Sequence, residues 1–162
     1  MLHFESRTIQ PGTGHEAGRA LLKEMVENYT GKPMPPIEKA PRGKPYFTDN
    51  SLHFSISHTK HHVFCVLSHH PVGIDAEEQT RKISPKLSEK ILSAEEYVQY
   101  RSALDPHAAL LTFWVLKEAQ AKCSGHGLAG YPNHTNFRLD DPRAFIADGC
   151  HVAIIEEDSH AL

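Results

Sequence analysis

The chain has 162 residues, of which 40% are hydrophobic and 23% charged, and this composition is typical of a globular protein with one domain or two small halves. Its 17 basic and 20 acidic residues give a net charge of −3, which argues against a protein that wraps nucleic acid. The sequence shows no signal-peptide pattern, no apolar run of membrane-spanning length, and three cysteines without a CxxC pair. We therefore expect a cytoplasmic protein that has no structural disulfides and binds neither membrane nor nucleic acid.

The first half of the chain predicts a strand, a helix, a long loop and two further strands. Residues 2–4 alternate between apolar and polar, and apolar residues recur every four positions at 17–29, up to a glycine that ends the helix. The proline-rich stretch 30–45 predicts a loop without regular structure. Alternation at 52–57 predicts a half-buried strand, and the apolar run 63–67 predicts a strand buried on both faces.

Three helices are predicted in the middle of the chain, each from its N-terminal signal. Ser84-Pro85 is typical of an N-cap followed by proline in the first turn. Ser93 and Glu96 form a capping-box pattern, in which each side chain bonds a free backbone N–H of the other residue. Asp105-Pro106 predicts the start of the third helix, which runs to about Cys123 and ends at the glycines that follow.

Strands are predicted on both sides of these helices. The apolar run 72–74 predicts a short strand that closes on Asp75, and residues 137–139 predict a strand after the third helix. Residues 145–154 predict a hairpin, because Asp148-Gly149 is a strong two-residue turn signal between alternating segments.

Two acidic clusters are candidates for chemistry. Asp75 and Glu77 lie two residues apart in an extended segment, so both carboxylates point the same way. Trp114, Glu118 and Lys122 are spaced by four and form one stripe of the third helix. Three carboxylates beside a lysine would suit a magnesium ion shared with phosphate oxygens. The alternatives are a surface ion pair on the helix, a polar strand end at the first cluster, and a core tryptophan.

A third cluster lies at Ser57 and His58, where the strand at 52–57 passes into hydroxyl groups and a histidine. Ser57 is placed to donate to a phosphate, and protonated His58 would offset the phosphate charge. The alternatives are an exposed polar strand end and a histidine metal site formed with His61 and His62.

Four motifs follow one another along the chain: Gly43-Lys44-Pro45, Ser55-Ile56-Ser57-His58, Gly73-Ile74-Asp75-Ala76-Glu77, and Phe113-Trp114-x-x-Lys117-Glu118-Ala119-x-x-Lys122-x-x-Gly125-x-Gly127-Leu128. Their order and approximate spacing resemble the 4'-phosphopantetheinyl transferases of the surfactin-synthetase-activating type, in a short form. Arg19, before Leu21-Leu22, resembles an arginine of the family's first helix.

The resemblance implies an α+β fold built as a pseudo-twofold pair of α/β half-domains, each a small, mainly antiparallel sheet packed on a long helix. The N-terminal half-domain would span residues 1–70, and the C-terminal half-domain, with the metal site, residues 71–162. The active site would lie in the cleft between them. A Leu-Lys-Glu tripeptide shared by 22–24 and 116–118 is compatible with an internal duplication.

The resemblance also implies the roles of individual residues. Asp75, Glu77 and Glu118 would bind Mg²⁺ or Mn²⁺. Glu118, Lys122 and Asp75 would be catalytic, with Lys122 contacting the pyrophosphate. Glu96 matches a glutamate of the family, but its capping-box role explains it without catalysis. The residues that would bind coenzyme A are Arg19, Lys44, Ser57, His58 and Lys122.

The implied reaction transfers the 4'-phosphopantetheine arm of coenzyme A to a serine of an acyl or peptidyl carrier protein in fatty acid, polyketide or nonribosomal peptide synthesis, releasing 3',5'-ADP. Glu118, or a water on the metal, would accept the serine proton. We expect a monomer. An alternative is a catalytically idle relative that binds coenzyme A or a carrier protein without transfer. The stretch 1–14 is shorter than the family's usual N-terminal segment, which predicts fewer phosphate contacts.

Overall fold

The computed structural model describes residues 1–127 and 135–158. Leu128, the last residue of the fourth motif, lies outside the described residues. Eight strands and four helices lie within these ranges: β1 (Leu2–Thr8), α1 (Gly14–Thr30), β2 (Ile37–Lys39), β3 (Pro45–Phe47), β4 (His53–His58), β5 (His62–Ser68), β6 (Val72–Glu78), α2 (Leu87–Ile91), α3 (Ala94–Ser102), α4 (Pro106–Ser124), β7 (Ala144–Ala147) and β8 (Cys150–Glu156).

The strands form two three-stranded sheets and one small hairpin, and every pairing is antiparallel. The first sheet has the order β1-β5-β4, the second has the order β6-β8-β7, and β2 pairs with β3. Each three-stranded sheet places its last strand between the other two, and each has one long helix between its first and second strands. This arrangement confirms the predicted α+β class with antiparallel sheets and helices.

Three apolar clusters hold these layers together. One packs α1 on the first sheet through Leu21, Leu22, Phe54 and Val63, and another packs α4 on the second sheet. The third joins the two sheets and consists of Phe64, Val66, Val72, Ile74, Ala76, Cys150 and Val152. Successive residues of β5 thus enter different clusters, so this strand is buried on both faces as predicted.

Helix ends follow the local signals in the sequence. Gly31 and Gly125 end α1 and α4 in the left-handed conformation, where a residue without Cβ avoids a steric penalty. Ser93 and Glu96 form the predicted capping box at the start of α3. Asp105 caps α4 by accepting a hydrogen bond from the N–H of Ala108. None of the helices in the described residues combines the length and hydrophobicity needed to cross a bilayer.

Three predicted elements are wrong in part. The loop predicted at 30–45 contains β2 and leads into β3, a hairpin whose Pro45 is tolerated because a two-stranded ribbon leaves one edge of each strand unpaired. Ser84-Pro85 forms a turn that precedes α2, which begins at Leu87. Residues 137–139 are not a strand, since their N–H groups at 137 and 139 donate to side chains of α3.

The contact between β6 and α4 positions the residues of the candidate site. Gly73 lies against the helix backbone, and a Cβ at this position would overlap the carbonyl of Ala119 and the amide of Cys123. This close approach sets the acidic end of β6 beside the helical turns that carry Glu118 and Lys122.

We predict that Gly73→Ala destabilises the protein by about 3 kcal/mol or more, because neither backbone can move away without breaking the sheet or the helix. Gly31→Ala is the matched control, since it adds a methyl group in open space and incurs only the left-handed backbone penalty of about 1 kcal/mol. Urea unfolding measures both losses. Equal losses for the two variants would contradict the close β6–α4 contact.

Candidate active site

A cleft of about 260 Å³ lies between α4 on one side and β4 with the turn that connects β2 to β3 on the other. One wall is formed by residues 42–45 and by β4 around Ser55, and the other by Glu118, Lys122 and the turn at Gly125. The cleft therefore brings together residues from both predicted half-domains, Lys44 from the first and the Glu118–Lys122 stripe from the second.

Asp75 lies on β6 with its side chain almost completely buried. Its Oδ1 accepts a hydrogen bond from Lys122 Nζ at 2.9 Å and a long one from the Ser57 hydroxyl at 3.5 Å. Lys122 Nζ also donates to the carbonyl of Ile74 at 3.0 Å. The other carboxylate oxygen, Oδ2, is buried and has no hydrogen-bond partner among the described residues. An unpartnered buried oxygen is an available ligand position.

The carboxylates of the two acidic clusters act on one another. Burial raises the pKa of Asp75 to about 6, against the opposing effect of the Lys122 ammonium. Burial, followed by the charge of Asp75, raises the pKa of Glu118 to about 7, and the charge of Glu77 adds to this rise. Since such charge effects act only over short distances, β6 and α4 bring three carboxylates into one electrostatic field.

Glu77, two residues further along β6, is held by two donors. Trp114 Nε1 donates to its Oε1 at 3.2 Å, and the Arg81 guanidinium forms an ion pair with the same oxygen. The Arg81 backbone is fixed in turn, because its carbonyl accepts a hydrogen bond of 2.6 Å from His107 Nε2. Trp114 also packs against the apolar cluster around α4, so it is both a core residue and a site contact.

The alternative interpretation of Glu118 and Lys122, a surface ion pair on the helix, is wrong: among the described residues, Lys122 pairs with Asp75 instead. Arg81 was missed at the sequence level. Its separation of four residues from Glu77 predicts a contact only within a helix, whereas here a strand end and a turn bring the two together.

The donor atoms of these side chains can be compared with the ligands that Mg²⁺ prefers. In residues 1–127 and 135–158, no three His, Cys, Asp or Glu side chains are already arranged as a complete set of ligands. The donors nevertheless fit a hard divalent cation, because they are carboxylate oxygens and one of them is buried without a partner among the described residues.

The residues predicted to bind coenzyme A do not all line one cavity. Lys44 lines the cleft, where its Nζ donates to the carbonyl of Cys123 at 2.6 Å and burial lowers its pKa. His58 is exposed and lines a second concavity with Gly12 and Lys60. Arg19 is half-buried on α1 and is not among the residues that line either cavity.

The strand at 52–57 differs from the predicted half-buried pattern. Ser55 and Ser57 are buried, and their hydroxyl oxygens accept hydrogen bonds of 3.1 Å from the N–H groups of Ile74 and Ala76. An exposed strand end is therefore wrong for Ser57. The alternation rule failed because β4 packs against β6 on the face that the serines occupy.

Glu96 has the structural role expected of it. Its side chain is fully buried, completes the capping box, forms an ion pair with Lys117 Nζ at 2.8 Å, and accepts the N–H of Phe137 at 3.0 Å. The buried partner Lys117 was not foreseen. These contacts tie α3 and the segment after α4 to the helix that carries Glu118.

Comparison with known families gives the class of this chain. Residues 71–151, half of the chain, match the sequence model of the 4'-phosphopantetheinyl transferase superfamily. The chain therefore belongs to the 4'-phosphopantetheinyl transferase superfamily, which confirms the resemblance seen in the motifs.

Three relatives show how much of the chain is shared. The 4'-phosphopantetheinyl transferase gsp of Aneurinibacillus migulanus is 36% identical over 88 residues, which cover 53% of this chain and 36% of that protein. A 4'-phosphopantetheinyl transferase of Bacillus subtilis is 31% identical over 124 residues, 73% of this chain and 50% of that protein. The 4'-phosphopantetheinyl transferase HetI of Nostoc sp. is 30% identical over 124 residues, 70% of this chain and 52% of that protein. The chain thus spans from about a third to about half of the length of these relatives.

We predict that Glu118→Gln stabilises the metal-free protein at pH 8. The folded-state pKa of Glu118 lies above its ordinary value of 4.5, so the ionised carboxylate destabilises the fold above about pH 7 and is progressively relieved as pH falls toward 4.5. Because Glu118 is partly exposed, we expect a gain of about 1–2 kcal/mol at pH 8 and a much smaller gain at pH 5.

Urea unfolding in EDTA at the two pH values measures this gain. Glu95→Gln removes an exposed glutamate of α3 and should leave stability nearly unchanged at both. A gain from Glu118→Gln that is the same at pH 8 and pH 5 would show that its charge is not the cause.

Proposed function

We propose that this chain carries out the magnesium-dependent transfer of 4'-phosphopantetheine from coenzyme A to a serine of an acyl or peptidyl carrier protein. The observation that carries the proposal is the convergence of Asp75, Glu118 and Lys122 beside a cleft with further basic groups. Membership of the superfamily supports the same reaction, as does the naming of the relatives as 4'-phosphopantetheinyl transferases.

We propose that residues 1–70 and 71–162 are half-domains related by a pseudo-twofold axis. The support is topological, because the three-stranded sheet of each takes one strand before a long helix and two strands after it, with the last strand in the centre; the first half also has the β2–β3 hairpin. On this view α1 corresponds to α4, and the Leu-Lys-Glu tripeptides at 22–24 and 116–118 lie on corresponding helices.

The cleft between these halves is the proposed site for coenzyme A, whose phosphates require cationic partners. Arg42, Lys44 and Lys122 line it. Lys122 is accessible, since about a third of its side chain is exposed (34%), and it is proposed to contact the pyrophosphate. Arg19 and His58 are proposed to contact phosphates outside the cleft.

Asp75, Glu77 and Glu118 would hold Mg²⁺, or Mn²⁺, near this pyrophosphate. When bound, the ion would neutralise charge on the phosphate oxygens and relieve the repulsion among the carboxylates.

The proposed reaction is a phosphoryl transfer. The carrier serine Oγ forms a bond to the β-phosphorus of coenzyme A while the bond from that phosphorus to the bridging oxygen breaks, and 3',5'-ADP leaves with the bridging oxygen. Glu118, whose carboxylate lines the cleft, accepts the serine proton. Lys122 stabilises the charge on the pyrophosphate as the leaving group departs.

The second candidate function is an idle relative that binds coenzyme A or a carrier protein without transfer. It predicts binding in the cleft but does not explain why three repelling carboxylates are kept together beside it.

Incubation with coenzyme A, MgCl₂ and several apo carrier proteins tests the proposal. Intact-mass measurement should show a gain of one phosphopantetheine on at least one carrier. Asp75→Asn and Glu118→Gln should each lower the initial rate by about 100-fold or more, since each removes a carboxylate from the reaction site. Glu95→Gln, on the surface of α3, should retain the rate.

Coenzyme A binding without a mass gain on any carrier would favour the idle relative. A Glu118→Gln variant with the full rate would remove the assigned proton acceptor, even if the transfer itself is observed.

A further inference from the structure

The edge of β6 that faces β4 is closed by side chains instead of a neighbouring backbone. The N–H groups of Ile74 and Ala76 donate to the hydroxyls of Ser55 and Ser57, both at 3.1 Å. Both serines are buried, with exposed fractions of 7% and 6%. They are therefore a matched pair in burial and in the backbone contact that they make.

The two serines differ in one contact. Ser57 Oγ also donates to Asp75 Oδ1, at 3.5 Å, whereas Ser55 donates to no carboxylate of the site within the described part of the chain. Because a hydroxyl has a single proton and Ser57 uses its oxygen to accept the Ala76 N–H, its proton is directed toward Asp75. A phosphate oxygen accepts hydrogen bonds, so it would need the one proton that Ser57 directs to Asp75.

We propose that Ser57 is a positioning residue for Asp75, and this inference rests on the proposed metal-binding role of that carboxylate. The hydroxyl fixes Oδ1 from within the fold, which leaves the buried Oδ2 without a partner and directed to bind a divalent cation. Ser57 thus acts on the metal site through Asp75. The motif alone had suggested that Ser57 contacts the phosphates of coenzyme A, and this proposal replaces that role.

The second donor to Oδ1 explains why a fixed partner matters. Lys122 Nζ is the closer donor to this oxygen, but Lys122 is partly exposed and is the residue proposed to move to the pyrophosphate. Ser57 lies on a buried strand and remains when Lys122 leaves. Residues that orient a metal-binding carboxylate commonly change metal affinity by 10- to 100-fold when they are removed.

Binding of Mn²⁺ alone to the intact chain tests this proposal, with free Mn²⁺ measured by electron paramagnetic resonance. Ser57→Ala should bind Mn²⁺ about tenfold or more weakly than wild type. Ser55→Ala loses an equivalent backbone contact and should remain within about twofold of wild type. Ser57→Cys keeps the packing at the buried position but donates weakly, so it should also lose affinity and serves if Ser57→Ala does not fold.

Binding of 3',5'-ADP in EDTA separates the two possible roles of Ser57. A positioning residue leaves this affinity within about twofold in Ser57→Ala, whereas a loss of tenfold or more would show a direct phosphate contact and overturn the proposal. Equal losses of Mn²⁺ affinity in Ser55→Ala and Ser57→Ala, wild-type Mn²⁺ affinity in Ser57→Cys, or no Mn²⁺ binding by wild type would also overturn it.

These outcomes are independent of transfer to a carrier protein. If the serine variants differ in Mn²⁺ affinity as expected but no carrier gains mass, the proposed function fails and the role of Ser57 stands. If carriers gain mass and Ser57→Ala binds Mn²⁺ as tightly as wild type, only the role of Ser57 fails.

Discussion

The close packing of β6 on α4 is the constraint on which the site depends. A strand can approach a helix this closely only where it carries no side chain, and Gly73 provides that position two residues before Asp75. The approach sets the strand carboxylates beside Glu118 and shields them from water. Burial therefore is the first cause of the raised pKa of both Asp75 and Glu118, with mutual repulsion added to it. The contact between β6 and α4 thus stabilises the fold and also creates the electrostatic repulsion among the carboxylates.

That repulsion is offset within the chain by cationic side chains. Lys122 pairs with Asp75, and Arg81 pairs with Glu77. Lys44 is satisfied differently, by the Cys123 carbonyl at the C-terminal end of α4, where the helix dipole favours a positive charge. Each of these cations lies at or near the proposed position of a metal ion or a phosphate. The free protein therefore keeps Asp75 and Glu77 paired with cations while their side chains are largely shielded from water.

Sequence reasoning succeeded where a local rule determines the outcome. The spacing of two between Asp75 and Glu77, the helical stripe of Glu118 and Lys122, the capping box of α3 and the Asp148-Gly149 turn all depend on residues near one another in the chain, and the structure has each element. The ordered motifs also gave the superfamily. What failed depends on distant partners. The burial of Ser55 and Ser57 follows from β6, a strand of the other sheet, and 137–139 is held by α3 side chains in place of a strand neighbour. No periodicity within a segment encodes those contacts. The metal set and the coenzyme A contacts stay predictions of the resemblance.

The serines of β4 show how one contact can serve both the fold and the site. An unpaired strand edge buried between two sheets would leave the N–H groups of Ile74 and Ala76 unsatisfied, which costs about 1–3 kcal/mol for each group. The serine hydroxyls accept hydrogen bonds from these N–H groups without any backbone pairing between the strands. As a result β4 and β6 stay in separate sheets. A backbone partner would have satisfied the same N–H groups but would have had no proton to give Asp75. Serine at position 57 therefore has two effects: it satisfies the Ala76 N–H at the edge of β6, and it orients the Asp75 carboxylate.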